Sequence, residues 1–180
     1  MTTTERPART GRVRWRVLAP AVLLALALGA WLWWWSHPRA FADYGAGLGA
    51  VAEIGETRYF GLANAPRDLE ILEVRPLVAS DGADATVTAV VCMGAEDRGG
   101  VGVGSPEMVT EGCRSVREPA GRFTPDDQLL VEVRGTSEGT VVVDGVVVTY
   151  RDGAQRGTEV LDVDIGAGFG LGIDIEDFVW

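Results

Sequence analysis

The sequence predicts an all-β antiparallel sandwich following a single N-terminal transmembrane helix. Three observations carry this reading: one uncharged run long enough to cross a bilayer, a series of short strand-like segments separated by Gly, Pro and Asp clusters, and strict apolar/polar alternation within several of them. A chain of 180 residues has room for one ordinary core once the membrane run is set aside.

Residues 17–35, VLAPAVLLALALGAWLWWW, contain no charge. As a helix they span roughly 28 Å at about 1.5 Å per residue, close to the ~30 Å hydrocarbon core of a bilayer. Arg6, Arg9, Arg12, Arg14 and Arg16 lie on the N-terminal side and only Arg39 lies close on the other. The positive-inside rule therefore places a basic tail, 1–16, in the cytoplasm and everything after the helix outside it. Trp15 at one end and Trp31, Trp33, Trp34 and Trp35 at the other occupy positions where indole rings prefer the headgroup regions. The rival reading is a cleaved signal peptide, because Ala40-Phe41-Ala42 is an A-x-A site that would leave a mature chain beginning at Asp43. An anchor is the expectation, since the apolar run exceeds a normal signal core and ends in bulky indoles. Nothing near the run has the cysteine of a lipid anchor or an adjacent arginine pair.

Residues 36–56 are small, Gly/Ala-rich and weakly periodic, and read as a stalk. Candidate strands follow at 57–62, 69–78, 86–92, 113–117, 128–134, 140–151 and 158–165, forming a domain over 57–165. Leu129, Val131 and Val133 alternate with Leu130, Glu132 and Arg134, and Leu161, Val163 and Ile165 alternate with Asp162 and Asp164, so one face is expected inside and one in water. Asp144-Gly145 fits a two-residue hairpin turn, with a β-bulge as the second reading. Outside 17–35 no stretch shows helical periodicity.

The pattern Gly55-x-Thr57-x-x-Phe60-Gly61-Leu62-x-Asn64, followed by Leu69 to Pro76 and later GVVVTYRDGAQRGTEV (145–160), resembles the immunoglobulin-like outer domains of small single-span actinobacterial membrane proteins. The resemblance covers roughly 50–165 and implies fold and location only. It brings no catalytic residue, and the wide Cys…Trp…Cys spacing of antibody domains is missing.

Charge and side-chain inventory exclude much chemistry. Residues 1–35 hold five Arg and one Glu (+4), and residues 36–180 hold eleven Arg and twenty-five acids (−14). A domain with that field repels phosphate backbones, which argues against nucleic acid and favours cationic partners. Lysine is absent, and the single histidine, His37, sits beside Pro38 at the end of the apolar run. Histidine relays, histidine-rich zinc sites and lysine Schiff bases therefore have no residues in the domain. Carboxylates are plentiful, but no motif singles out a catalytic pair. The Gly45-x-Gly47-x-Gly49 run has no strand before it and does not read as a dinucleotide loop. The chain is expected to be non-catalytic, with no cofactor and no metal ligands. Cys92 and Cys113 are expected to pair in an oxidising compartment, stapling the glycine-rich 93–112 loop and holding it as a candidate binding loop.

From Leu161 to Glu176 the alternation never slips, with Gly166, Gly168, Gly170, Gly172, Asp174 and Glu176 on one parity. Sixteen residues are long for one strand, so a turn within 166–172 and a glycine-rich terminal segment over 166–180 are expected. Two roles compete with plain packing of that segment. A bare glycine face on an edge strand suits strand addition by a partner, and the flanking carboxylates are candidates for Ca²⁺, although EF-hand spacing is missing. Phe178-Val179-Trp180 is read as packing on the domain, with partner or membrane docking as its alternative. The function expected is a protein-interaction module of the cell envelope, tied to the bilayer through 17–35, with a solute- or cation-binding domain as the alternative.

Overall fold

The computed structural model describes residues 13–36, 39–41, 46–95, 100–170 and 172. The chain divides after His37 into a helical unit and a β-domain. Helix α1 covers Val13–Ser36, beginning four residues before the expected span and taking in Arg14 and Arg16. Its Ala19–Ser36 window is long and apolar enough to cross a membrane, and none of it is buried against protein.

Among the described residues the β-domain has ten strands and one short helix. They are β1 (Ala46–Ala52), β2 (Thr57–Asn64), β3 (Leu69–Asp81), β4 (Thr86–Met93), β5 (Val103–Gly104), α2 (Pro106–Gly112), β6 (Ser115–Arg117), β7 (Gly121–Phe123), β8 (Gln128–Arg134), β9 (Gly139–Asp152) and β10 (Gln155–Phe169). Two five-stranded sheets result, one in the order β1-β10-β9-β3-β7 and the other β5-β2-β8-β4-β6. Phe60, Leu62, Leu129, Val131 and Val133 of one sheet and Ile71, Val143, Val148, Ile165 and Phe169 of the other share a single core.

Several elements differ from expectation. The stalk read over 36–56 contains β1, which pairs parallel with β10 from Ala46↔Val163 to Ala52↔Phe169. Its alternating residues are too small to register as a hydrophobic face in sequence. Asp144-Gly145 is not a hairpin turn: β9 runs through it, and the register of β10 shifts between Leu161 and Asp164 opposite Gly145 (φ +92°). The bulge reading therefore holds, with glycine supplying the positive φ. The turn lies at Gly153-Ala154, between the paired residues Asp152 and Gln155. Helix α2 spans seven residues, too few to show periodicity, and opens with Pro at its first turn. Strand β7 is three residues long and also escapes pattern reading.

Leu130, expected on a wet face, is buried in a second cluster with Cys92, Ala95, Val101, Val109 and Cys113. The segment between the two cysteines folds over the outer face of its sheet, and Cys92 and Cys113 are disulfide-bonded. Gln128 binds this layer as a backbone would: its Oε1 accepts from Val101 N at 2.7 Å and its Nε2 donates to Val101 O at 2.9 Å. Gly61 N donates to Gly102 O at 2.6 Å, and a Cβ on Gly61 would lie 1.7 Å from Val101 O. No side chain fits there.

Replacing both cysteines by alanine is expected to lower the unfolding free energy by about 3 kcal/mol, the contribution of closing a loop of this size. Gly61→Ala should cost at least about 3 kcal/mol through overpacking against backbone. Denaturant titration of the detergent-solubilised chain measures both, and a cysteine-free variant as stable as the parent would remove the staple role.

Candidate functional site

Strand β1 has two edges, and among the described residues only one is paired with a strand. Its outer neighbour position is empty in the sheet order, because β10 lies on the other side. Two hydrogen bonds establish which residues face which way. Gly170 N, continuing β10, donates to Ala52 O at 3.1 Å, and the Arg58 side chain reaches Val51 O with its Nε at 3.3 Å. Backbone direction alternates along a strand, so Ala46, Leu48, Ala50 and Ala52 turn their amides to β10, while Gly47, Gly49 and Val51 turn theirs to the open side. Among the described residues nothing hydrogen-bonds the outward amides of Gly47 and Gly49. Neither residue has a side chain to screen them, and no residue of the AGLGAVA strand is charged or proline.

Most other edges among the described residues are short or charged. Strands β5, β6 and β7 are two or three residues long. The stretch of β3 beyond β7 carries Glu73, Arg75, Pro76 and Asp81, and the stretch of β10 before Val163 carries Arg156, Glu159 and Asp162. The Thr86–Val90 stretch of β4 beyond β6 is uncharged and has no strand partner on that side among the described residues, but at five residues it is shorter than β1. Short, charged or proline-bearing edges resist pairing with a foreign strand; a long uncharged one invites it.

A clamp just upstream fixes the approach to β1. The Glu159 carboxylate accepts from Ala40 N at 2.5 Å and from Phe41 N at 3.1 Å, and the Tyr150 hydroxyl donates to the same Oε1. The Phe41 ring meets Tyr150 edge-on at 5.7 Å and Phe123 at 6.4 Å. Ala40 and Phe41 are both buried in the main core. Burial, then the bond to the Glu159 carboxylate, pushes the Tyr150 phenol well above its ordinary value.

The candidate residues read from sequence are placed as follows. Trp31, Trp33, Trp34 and Trp35 lie exposed on the last turns of α1, with Trp31 and Trp35 rings 5.7 Å apart. Trp15 is in the same helix, its side chain outside the described residues, as is His37. Cys92 and Cys113 come together. Gly166 and Gly168 do not form an edge: they are buried, paired with Gly49 and Val51 of β1 on one side and with Val142 and Thr140 of β9 on the other. Strand addition at those glycines is thereby excluded, because both rows of their backbone groups are already spent. Gly170 (φ +117°) and Gly172 (φ +89°) sit at the bend that ends β10. Asp174, Glu176 and Phe178-Val179-Trp180 lie outside the described residues. The 93–112 loop is a docked layer on its sheet, so most of its apolar side chains serve packing.

For the solute or cation alternative, one cleft among the described residues is about 440 Å³ and is lined by Met93, Arg114, Arg117, Arg122, Asp126 and Asp127 among others. Its charges are largely spent on the chain itself. Arg117 donates to the carbonyls of Glu118, Pro119, Ala120 and Arg122. Arg122 pairs with Asp68 at 2.6 Å, and Asp127 accepts from Thr124 N at 2.9 Å and Gly94 N at 3.3 Å. No group of three or more His, Cys, Asp or Glu is placed to hold a metal ion among the described residues. The chain matches no protein-family model and no curated protein.

Sequence reading passed over the β1 edge because Gly47, Gly49, Ala50 and Ala52 look like linker. The usable signal was the alternation of Leu48, Ala50 and Ala52 with Gly47, Gly49 and Val51, which continues the parity of a strand in miniature.

Phe41→Ala should destabilise the domain by about 3 kcal/mol, the usual cost of emptying a buried aromatic site. Phenolate absorbance should show Tyr150 still protonated where an ordinary tyrosine, near pH 10, is half ionised. The sign follows from linkage. Because the folded value is raised, the contribution of Tyr150 to stability is complete below about pH 10 and declines as pH rises through the folded value. A Tyr150→Phe variant that loses part of the phenolate absorbance change near pH 10 seen in the parent would contradict the assignment.

Proposed function

We propose that this chain is a non-catalytic, single-pass membrane protein whose extracytoplasmic immunoglobulin-like β-sandwich binds another envelope protein by strand addition at β1. The observation that carries the proposal is the outward backbone of Gly47 and Gly49, which has no hydrogen-bond partner among the described residues and lies on a seven-residue uncharged edge, the longest such edge they form. An incoming strand gains main-chain hydrogen bonds from such an edge, and its alternate side chains supply specificity. The apolar α1 and the arginines preceding it favour an anchor with the N-terminus in the cytoplasm. Burial of Ala40 and Phe41 in the β-domain favours retention of the N-terminal segment over cleavage after Ala42, since a chain beginning at Asp43 would lose Phe41 from its core. The two facing sheets, with one parallel pair among antiparallel ones, favour the immunoglobulin-like reading.

The test exploits proline, which an edge strand tolerates where its N–H faces outward. Gly49→Pro keeps the pairing with β10 but removes the donor a partner needs. In native membranes, a photo-cross-linker placed at Val51 should yield a discrete adduct with the parent chain and little or none with Gly49→Pro, at unchanged melting temperature. Identical adducts from both chains would overturn strand addition at β1.

A further inference from the structure

The rung of the sheet that ends at Gly47 is unusual in charge. Gly47 pairs with Asp164 of β10, and Asp164 pairs directly with Asp144 of β9. These three residues share the outer face of the sheet. Two carboxylates directly opposite one another repel, and such a pair weakens a sheet unless a cation compensates it. Among the described residues neither the Asp164 nor the Asp144 carboxylate has a hydrogen-bond or ion-pair partner, and Asp162 stands exposed beside them. The third residue of the rung is a glycine at the edge, so among the described residues no side chain covers the Asp164 carboxylate from that side.

Resting on strand addition at β1, we infer that the partner is an extended segment carrying Arg or Lys on the rung of Gly47. Adjacent strands lie about 4.8 Å apart, so a residue of the added strand opposite Gly47 sits two spacings, about 10 Å, from the Asp164 backbone. A long basic side chain lying across Gly47 spans that gap, its stem on the bare glycine and its head meeting the carboxylate. Any side chain at position 47 on that face would stand in the path. The cation then neutralises the repulsion between Asp164 and Asp144, so the pair costs less in the complex than in the free domain. The −14 charge of residues 36–180 draws the same basic segment to the surface before it docks. Docking and specificity thus use neighbouring rungs of one edge: the backbone of Gly47 and Gly49 for attachment, and Asp164 and Asp144 on the Gly47 rung for the choice of partner.

A display library of random peptides seven residues long, the length of β1, tests this on the full-length chain in lipid nanodiscs. Selection is run on the parent, on Gly49→Pro and on Asp144→Asn/Asp164→Asn. The double variant relieves a like-charge pair, so its melting temperature should equal or exceed that of the parent. Peptides selected on the parent should carry Arg or Lys at one fixed position and fail to bind Gly49→Pro. On the double variant the same peptides should bind roughly three- to fivefold more weakly, and fresh selection should lose the basic position. Peptides that depend on Gly49 but show no fixed basic position would leave strand addition standing and overturn the basic rung. So would basic residues scattered without register, which report only net charge. If no selected peptide depends on Gly49, both strand addition and the rung fall together.

Discussion

Pairing of β10 on both its edges is the constraint from which the rest of the domain follows. A strand offers two rows of N–H and C=O groups, and a buried row left empty costs as much as the bonds it would have made. Over Val163–Phe169 one row of β10 is filled by β9 and the other by β1. That consumes the glycines which, read in sequence, look like an open edge. It also moves the open edge one strand outward, to a segment that reads as a linker.

What holds β1 in that position is partly remote from it. Glu159, on the part of β10 that β1 does not reach, binds the amides of Ala40 and Phe41, and the aromatic side chains of Tyr150 and Phe123 receive Phe41. The chain therefore enters the domain at Ala40, and residues 37–39 alone separate that point from the end of α1 in sequence. On the opposite sheet, the disulfide, Gln128 and the close approach at Gly61 hold the 93–112 layer over Leu130. With that face covered, the second sheet offers a partner the short β5 and β6 and the five-residue Thr86–Val90 stretch of β4, whereas β1 offers seven uncharged residues at the edge of the first sheet among the described residues.

A functional reading follows from what the domain leaves unsatisfied. Among the described residues the charges of the cleft by Arg117 and Asp127 are largely engaged with the chain, whereas the outward amides of Gly47 and Gly49 and the facing carboxylates of Asp164 and Asp144 have no partner. Unsatisfied hydrogen-bonding groups and uncompensated like charges in one rung are a cost to the isolated domain. A basic extended segment removes both at once.

Much of the chain was legible in its sequence, because some properties depend only on local pattern. The length of the apolar run, the strands at 128–134 and 158–165, and the pairing of the two cysteines within a β-rich domain all follow from periodicity, composition and spacing. Leu129, Val131 and Val133 point inward as their alternation requires. The candidate site was not legible. Residues 46–52 carry side chains too small to declare a buried face, and 166–169 carry glycines that look exposed until both neighbours are known. Which edge of a strand is free is a property of the whole sheet, since it depends on partners more than a hundred residues away in sequence. The sequence by itself determined which segments could be strands and what charge they carry. Only the tertiary structure decided which backbone remains open, because hydrogen-bond partners across a sheet are assigned by topology and not by the residues that lack them.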